Sequence, residues 1–463
     1  MYSHRIKPLI FAMLIPIALM GMDVPVWAGS DRWEGIEVLD LATAKKITLS
    51  DNPSMAAALL RVEQAKEVVR QAKSAYFPRL DAAASASLVE LSDHVFEDNL
   101  QTARFFNPNA DIEDPQDYYK AGIVATWNLF DGFSRRFAHA AARHGETLSV
   151  SARRDTKRLL LSSVAQAFYA AQLALEGVSI AEADEAFNRH QLSEAEARRR
   201  AGTGSLSEEL NFQVRRNAAT ANRLTAAESY KAAMIGLATL MGIPDARFPS
   251  KVALAPLKGE TEEEMAPQDI NRLQDIAHES RPDLSQGRVV VEQKKAEIGI
   301  ARSGFYPSVD LTANLTGDRE ADARFQKDDF GGSVAVSFSY NIFDGGLVRA
   351  KVAGARAGWS EARQNLSSLE NQVNREVQEA VVELETAGRQ LVLQRRNTDL
   401  VKQTRDLVEK EYRAGQGSLV RLNEAQRDLI TAQSRLALAL VGLHQAWSGL
   451  QTATGGILVG FED

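Results

Sequence analysis

The chain contains one plan twice, and each copy joins a pair of amphipathic strands to a helix too long for a globular core. In the first copy Asn128, Leu129, Phe130, Asp131 and Gly132 precede Arg136; Asn341, Ile342, Phe343, Asp344 and Gly345 precede Arg349 in the second, 213 positions later. The same offset relates Arg200, Ala201, Gly202, Gly204, Ser205 and Leu206 to Arg413, Ala414, Gly415, Gly417, Ser418 and Leu419. It also relates Gly236, Leu237, Thr239 and Gly242 to Gly449, Leu450, Thr452 and Gly455. Upstream, Pro53, Ala72, Ser74, Pro78 and Asp81 match Pro282, Ala301, Ser303, Pro307 and Asp310 at an offset of 229. The two offsets differ by 16, so the first copy carries an insertion of that size between Asp81 and Asn128. Periods of this length mark duplicated domains, not short solenoid units.

Each copy carries two period-two segments. Val334, Val336, Phe338, Tyr340 and Ile342 alternate with Ala335, Ser337, Ser339 and Asn341, and Val309, Leu311, Ala313 and Leu315 with Asp310, Thr312, Asn314 and Thr316. In the first copy Ile123, Ala125, Trp127 and Leu129 share one face, as do Leu80, Ala82, Ala84 and Ala86. One oily and one wet face over about ten residues is the pattern of a strand crossing a bilayer at a tilt. Four such strands cannot close a barrel, and hydrocarbon does not tolerate an open sheet edge, so sister chains must supply the rest. Two copies would give eight strands and three would give twelve.

Pro78 and Pro307 lack an N–H and push the preceding residue out of the helical region, so they end one helix and start a strand. Asp131 and Asp344, each followed by glycine, stand where period two gives way to helical spacing and can cap the first orphan amides. The segment after Asp131 runs without proline to Arg200, which at 1.5 Å per residue is on the order of 100 Å of helix. In the returning segment Leu419, Leu422, Ala425, Leu429, Ala432, Leu436, Leu440, Leu443, Trp447 and Leu450 are spaced by threes and fours, a coiled-coil seam. Val373, Val377, Ala380, Leu384, Ala387 and Leu391 supply a matching stripe. Gly354 and Gly358, among alanines, are expected to let backbones approach closely.

The expected organisation is therefore a signal peptide over 1–28, a first repeat over 29–257, an acidic surface linker over 258–268 and a second repeat over 269–463. Within the first repeat the reading is helix 53–77, strands 79–91 and 121–130, long helix 133–200, tip 201–206 and returning helix 206–241. Within the second it is helix 283–306, strands 308–317 and 332–343, long helix 346–412, tip 413–419 and returning helix 419–453. The signal rests on the basic start at His4, Arg5 and Lys7, the apolar run from Leu9 to Met22 and the small residues around Val26 to Ala28. Pro16 interrupts a run shorter than a spanning helix requires, and no later segment is expected to span as a helix. The stretch over 90–120 between the first two strands is acidic and reads as a solvated outer loop.

Composition narrows the function classes. The net charge is −7 and the pI about 5.7, so no global basic field draws the chain to nucleic acid. There is no cysteine, which excludes disulfides, thiolate metal sites, cysteine catalysis and acylation at an N-terminal cysteine. Histidines are scattered without ligand spacing, and neither a phosphate-binding glycine loop nor a nucleophile elbow is present. The expectation is a protein without catalytic, cofactor or metal site.

The Leu129–Gly132 and Ile342–Gly345 junctions, the strand-initiating prolines, the Arg-Ala-Gly-x-Gly-Ser turns and the duplication together resemble the TolC family of outer membrane efflux and type I secretion channels. The resemblance covers essentially the whole mature chain. It implies a mainly α fold with membrane β: a homotrimer building one twelve-stranded outer membrane barrel, continued into the periplasm by an α-helical barrel of long coiled coils. It implies a passive exit duct energised by an inner membrane ABC or proton-driven pump through a periplasmic adaptor. By position, the adaptor-docking tips are Gly202, Gly204, Ser205 and Leu206 with Gly415, Gly417, Ser418 and Leu419. The periplasmic aperture maps onto Tyr412, Arg421 and Glu424, where relatives place paired acids; a contact from Arg421 to Glu424 of a neighbouring chain follows as a hypothesis. The strand–helix junctions map onto Pro78, Asp131, Gly132, Pro307, Asp344 and Gly345. An alternative of another class is a soluble periplasmic coiled-coil adaptor or scaffold without a pore.

Overall fold

The computed structural model describes residues 35–112, 114–320 and 322–461; the expected signal peptide lies outside them. In chain order the elements are β1 (Val38–Leu39), α1 (Leu41–Asp51), α2 (Pro53–Ser74), β2 (Arg79–Val89), α3 (Asp93–Phe106), β3 (Gln116–Phe130), α4 (Ser134–Arg200) and α5 (Leu206–Leu240). There follow β4 (Ala253–Leu254), α6 (Glu262–Met265), α7 (Ile270–Ser280), α8 (Pro282–Ser303), β5 (Ser308–Glu320), β6 (Phe330–Ser339), α9 (Leu347–Arg413) and α10 (Leu419–Thr454). α4 and α9 have 67 residues each, about 100 Å at the helical rise.

The sheet has the antiparallel order β2-β3-β5-β6, leaving β2 and β6 as its edges. Its register puts Ala82 beside Ile123, Ile123 beside Leu315, and Leu311 beside Val336, so the apolar residues of all four strands form one continuous face. The other face carries Asp81, Lys120, Asn128, Asp310, Asn314, Asp318 and Ser337. There Lys120 pairs with Asp318 at 3.0 Å and the Asn128 amide donates to Asp310 Oδ1 at 2.7 Å.

The strand–helix boundaries follow from proline and aspartate, with differences from expectation. α2 and α8 end at Ser74 and Ser303, three residues before the expected ends at 77 and 306. Short-range bonds from Phe77 N to Ser74 O (3.0 Å) and Tyr306 N to Ser303 O (2.9 Å) tighten the last turn ahead of each proline. Asp131 accepts from the Arg135 amide at 2.9 Å and Asp344 from the Val348 amide at 2.9 Å. The N-cap positions themselves are Phe133 and Gly346, both left-handed, so the aspartates cap from two residues outside. Gly132 (φ +65) is required sterically as well, because a Cβ there would collide with Ser303 O and Tyr306 Cβ. β3 starts at Gln116, not 121, and β6 ends at Ser339, not 343.

Long helices of this kind are held by side-chain seams. One buried cluster joins Leu284, Val373, Val377, Val381, Leu384 and Leu391 to Leu443 and Leu450. Its counterpart in the first repeat joins Val164, Phe168 and Ala171 of α4 to Leu237 and Met241, closed by Leu39 and Leu254. Those last two belong to a two-residue parallel pair, β1 with β4, that the sequence pattern did not announce. α4 also corrects the expectation that no later segment could span as a helix: by length and composition it is apolar enough. Part of that apolar run is packed inside the chain: Val164, Phe168 and Ala171 lie in the first-repeat cluster, and Leu161 packs with Ile457 and Leu458 of the second repeat. At Gly354 and Gly358 nothing within 4 Å would meet a Cβ, so the close backbone approach expected on that side is not made within the chain, and Gly358 borders a groove with Gly287 and Val290 of α8. The acidic insertion is not simply a loop: it holds α3.

The 258–268 segment lies at the surface as expected, most of it exposed, but it is tied down at Glu260 and Glu264. Thr261 and Glu264 form a capping box on α6, and Glu264 is buried. Its Oε1 lies 2.6 Å from His444 Nδ1, while His444 Nε2 lies 3.0 Å from the Lys258 carbonyl and the ring stacks on Tyr169. Glu260 receives both Nη groups of Arg395 at 2.5 Å and is held down to about 2 by that guanidinium. Basic partners on α9 and α10 therefore draw the acidic segment inward. Burial works against the His444 charge, but the Glu264 carboxylate and the Lys258 carbonyl, both acceptors, outweigh it and raise its pKa. Burial likewise opposes ionisation of Glu264, and the His444 and Thr261 hydrogen bonds overcome it and lower its pKa. The pair thus stabilises the fold fully between the ordinary values of 4.5 and 6.5, and the contribution fades as pH falls through the folded Glu264 value or rises through the folded His444 value. Unfolding midpoints of the wild type, measured from pH 6.5 upward, should fall toward those of His444→Gln, and the two curves should converge once His444 has lost its proton.

Candidate functional site

Two regions carry the predicted site residues: the hairpin tips, and the sheet with its junctions at the opposite ends of α4 and α9.

The two tips are built alike. α4 ends in a Schellman-type turn: Gly202 (φ +79) places its N–H on Arg199 O at 3.0 Å, and Thr203 N–H on Arg198 O at 2.9 Å. α9 repeats this at the 213-residue offset, with Gly415 (φ +72) on Tyr412 O at 3.0 Å and Gln416 N–H on Glu411 O at 2.9 Å. Ser205 and Ser418 then cap α5 and α10, accepting from Glu208 and Arg421 amides at 3.1 and 3.3 Å. Gly204 and Gly417 stand against backbone of the preceding helix, where a Cβ would meet Arg199 N at 2.9 Å and Tyr412 N at 3.0 Å. The tips differ in what they present: Leu206 is exposed, whereas Leu419 packs into a cluster with Leu192, Phe212, Val408, Tyr412 and Leu422.

That cluster brings the two hairpins together, and polar contacts surround it. Arg198 Nη2 donates to the Tyr412 hydroxyl at 3.1 Å, and its guanidinium lies over the Tyr412 ring at 5.1 Å. Gln191 donates to Glu409 at 3.2 Å, Asn423 to Asn211 at 3.2 Å, and Gln426 to Asp184 Oδ1 at 2.9 Å. Arg413 lies 3.5 Å from Glu194 and 2.9 Å from Glu409. Of the three predicted aperture residues, Tyr412 is buried here. Arg421 is engaged by Glu411 of its own hairpin at 3.2 Å, and no ion pair joins it to Glu424 within the chain. Arg198, Gln191, Asp184 and Asn211 were not singled out from the sequence. Their signal was present as polar residues on helix faces that otherwise pack. Among the described residues no group of three histidine, aspartate or glutamate side chains could hold a metal.

The other region is the sheet. Its apolar face is open: Leu80, Leu88, Val334, Val336 and Phe338 are each at least 66% exposed although they belong to one regular surface. An apolar sheet face beside two unpaired edges, set on helices about 100 Å long, is the geometry of a membrane-inserted part carried by a long aqueous part.

The family model of the outer membrane efflux proteins matches residues 46–243 and 273–456, that is, both repeats. The chain belongs to the outer membrane efflux protein family. The segment between the two matches contains β4, α6 and the start of α7. Among curated relatives, the chain is 24% identical over 431 residues to the pyoverdine export outer membrane protein OpmQ of Pseudomonas aeruginosa, spanning 92% of this chain and 86% of that protein. It is 23% identical over 437 residues to the outer membrane protein TolC of Escherichia coli, spanning 92% and 83%. Among solved structures, the Campylobacter jejuni CmeC outer membrane channel superposes with a TM-score of 0.75 at 18% identity, covering 91% of this chain and 87% of that one. Membership of this family places the protein in the outer membrane with a periplasmic extension. Its function is that of an export channel, not of a pore-less periplasmic scaffold.

The tip contacts generate a measurable consequence. Tyr412→Ala removes the acceptor of Arg198 and a buried ring from the cluster joining the hairpins, and should raise the conductance of the reconstituted channel about tenfold if the contact is worth 1 to 2 kcal/mol, whereas Tyr412→Phe, losing one hydrogen bond, should change it less. Equal conductance of both variants and wild type in planar bilayers would remove Tyr412 from the aperture.

Proposed function

We propose that three copies of this chain form one passive exit duct, with a twelve-stranded barrel in the outer membrane and a tunnel of coiled-coil helices reaching across the periplasm. The carrying observation is the four-stranded sheet, with one face apolar from Leu80 to Leu88 and from Phe338 to Val334, charged only at its outer end by Asp117 and Arg319, and unpaired at β2 and β6. In hydrocarbon every backbone N–H and C=O must be bonded within protein, so a four-stranded piece is stable there only as part of a closed ring. The wet face, with Asp81, Lys120, Asn128 and Asp310, then lines the lumen, and the apolar face meets outer membrane lipid.

In this assembly α4, α5, α9 and α10 form the tunnel, and the tips at Gly202–Leu206 and Gly415–Leu419 point away from the membrane. The exposed Leu206 and the tight glycine turns offer a surface for a periplasmic adaptor, through which an inner membrane ABC or proton-driven pump supplies the energy. Arg198, Tyr412 and the polar pairs around them hold the two hairpins of one chain together, and their separation widens the entrance. Arg421 and Glu424 sit on the first turns of α10. In the trimer Arg421 can exchange Glu411 for Glu424 of a neighbouring chain, giving an aperture that is not purely acidic. The cargo is selected by the pump, since the duct contributes only a path.

The full-length protein, extracted from outer membrane fractions with detergent, should run as a heat-modifiable trimer. A monodisperse monomer soluble without detergent would overturn this assembly. Arg421→Ala and Glu424→Ala should each shift single-channel conductance, and unchanged values for both would remove that pair from the aperture.

A further inference from the structure

The duplication fixes how one copy meets the next. Applying the two offsets to the first hairpin reproduces the second: Ala82 faces Ile123, and their counterparts Leu311 and Val336 face each other in turn. Likewise Arg79 faces Thr126 and Ser308 faces Ser339. Strand register has therefore survived duplication without a slip. A one-residue slip would have moved every side chain to the other face, which the apolar surface forbids.

The contact between the repeats inside the chain is β3 with β5, where Ile123 faces Leu315, Ala125 faces Ala313, Trp127 faces Leu311 and Asn128 faces Asp310. Moving forward one repeat, β3 becomes β6 and β5 becomes β2 of the next copy. We propose that the seam between copies repeats the β3–β5 register, pairing Val336 of one copy with Ala86 of the next, Phe338 with Ala84, Tyr340 with Ala82, and Asn341 with Asp81. The seam presupposes the ring assembly proposed above and specifies it residue by residue.

Three observations meet in this register. Its faces agree: Val336, Phe338 and Tyr340 fall on the apolar side opposite Ala82, Ala84 and Ala86, large against small, while Ser337 and Ser339 meet Ser85 and Ala83 on the wet side. The Asn128 to Asp310 hydrogen bond at 2.7 Å has its counterpart in Asn341 and Asp81, the same two residue types at the two offsets. The register also explains why β6 stops at Ser339. Its counterpart β3, paired on both sides, continues to Phe130, whereas Tyr340, Ile342 and Phe343 lack the second neighbour and are 53%, 90% and 88% exposed. In the ring they become strand, and Phe343 takes the place by Leu80 that Phe130 holds by Val309.

The helices beneath continue the pattern. Inside the chain the Phe137 ring fills the space over Gly299. The counterparts are Ala350 on α9 and Arg70 on α2 of the next copy, where the small residue has changed sides. The small side chains along α9, Gly354 and Gly358 included, then face α2 of the neighbour.

Because the chain has no cysteine, paired cysteines read the seam directly in the full-length protein in outer membranes. Oxidation of V336C combined with A86C should link separate chains into dimers and trimers on non-reducing gels. Its yield should be roughly tenfold above V336C with A82C, because direct cross-strand partners have Cβ atoms about 5 Å apart and off-register ones more than about 7 Å. The intrachain equivalent, I123C with L315C, should close without joining chains and shows that such a pair is competent in the folded protein. A maximum with A84C or L88C instead would overturn this register and leave the trimer standing. No interchain product with any of the four partners, beside a closed intrachain control, would overturn both the seam and the trimer. Asn341→Asp should weaken the heat-resistant trimer by setting two carboxylates together, and adding Asp81→Asn should restore it; no recovery would remove that hydrogen bond from the seam.

Discussion

The demand that backbone hydrogen bonds be closed in hydrocarbon governs this protein. A soluble four-stranded sheet could leave its edges in water at little cost, but in lipid each unpaired amide or carbonyl costs several kcal/mol. β2 and β6 present such rows, and they flank a face that is apolar except at its outer end, where Asp117 and Arg319 stand. In the ring proposed above, the strand number, the seam and the bundle under it all follow from where the missing neighbours must stand. The junction residues serve the same end: Asp131 and Asp344 close the first amides of helices that begin three residues after them, and Gly132 lets the chain turn against α8.

Much of this was legible because it repeats. One heptad-like stripe or one alternating run is ambiguous, but each feature occurs twice at fixed spacing, and the second occurrence tests the first. The tips show it best: two Schellman-type turns with the same donors and acceptors, at positions given by the Arg-Ala-Gly-x-Gly-Ser string. The seam residues Val377, Leu384, Leu391, Leu443 and Leu450 were equally readable, since their spacing matches the pitch of packed helices.

What escaped the sequence depends on partners far away in the chain. The segment 258–268 has the composition of a solvated linker, and nothing local reveals that His444 lies 180 residues on to receive Glu264. The end of β6 was misplaced because alternation records what a strand does when paired on both sides, and the single chain pairs it on one. Gly354 and Gly358 were expected against a neighbouring helix, but within the chain nothing stands where a Cβ would. α3 escaped because an acidic stretch between strands gives no seam to read. The polar residues binding the tips, Arg198 with Tyr412 and Gln426 with Asp184, stand singly among charged residues that look alike in sequence.

The distribution of contact types along the hairpins bears on how such a duct moves. Near the middle, each hairpin is held by its own apolar cluster, and burial of Leu, Val and Phe side chains at about 1.5 to 3 kcal/mol each makes separation there costly. At the tips one smaller cluster joins hairpin to hairpin, surrounded by hydrogen bonds and ion pairs that water can replace at about 0.5 to 1.5 kcal/mol apiece. Opening between hairpins at the tip is therefore cheaper than opening within a hairpin. In the duct proposed above, the element that would move as a unit is a whole α9–α10 or α4–α5 pair, pivoting about the apolar middle. Tyr412 sits where this matters, buried between the hairpins yet hydrogen-bonded across them, so in the proposed duct drawing Arg198 away would release its hydrogen bond and its cation–π contact in the same displacement.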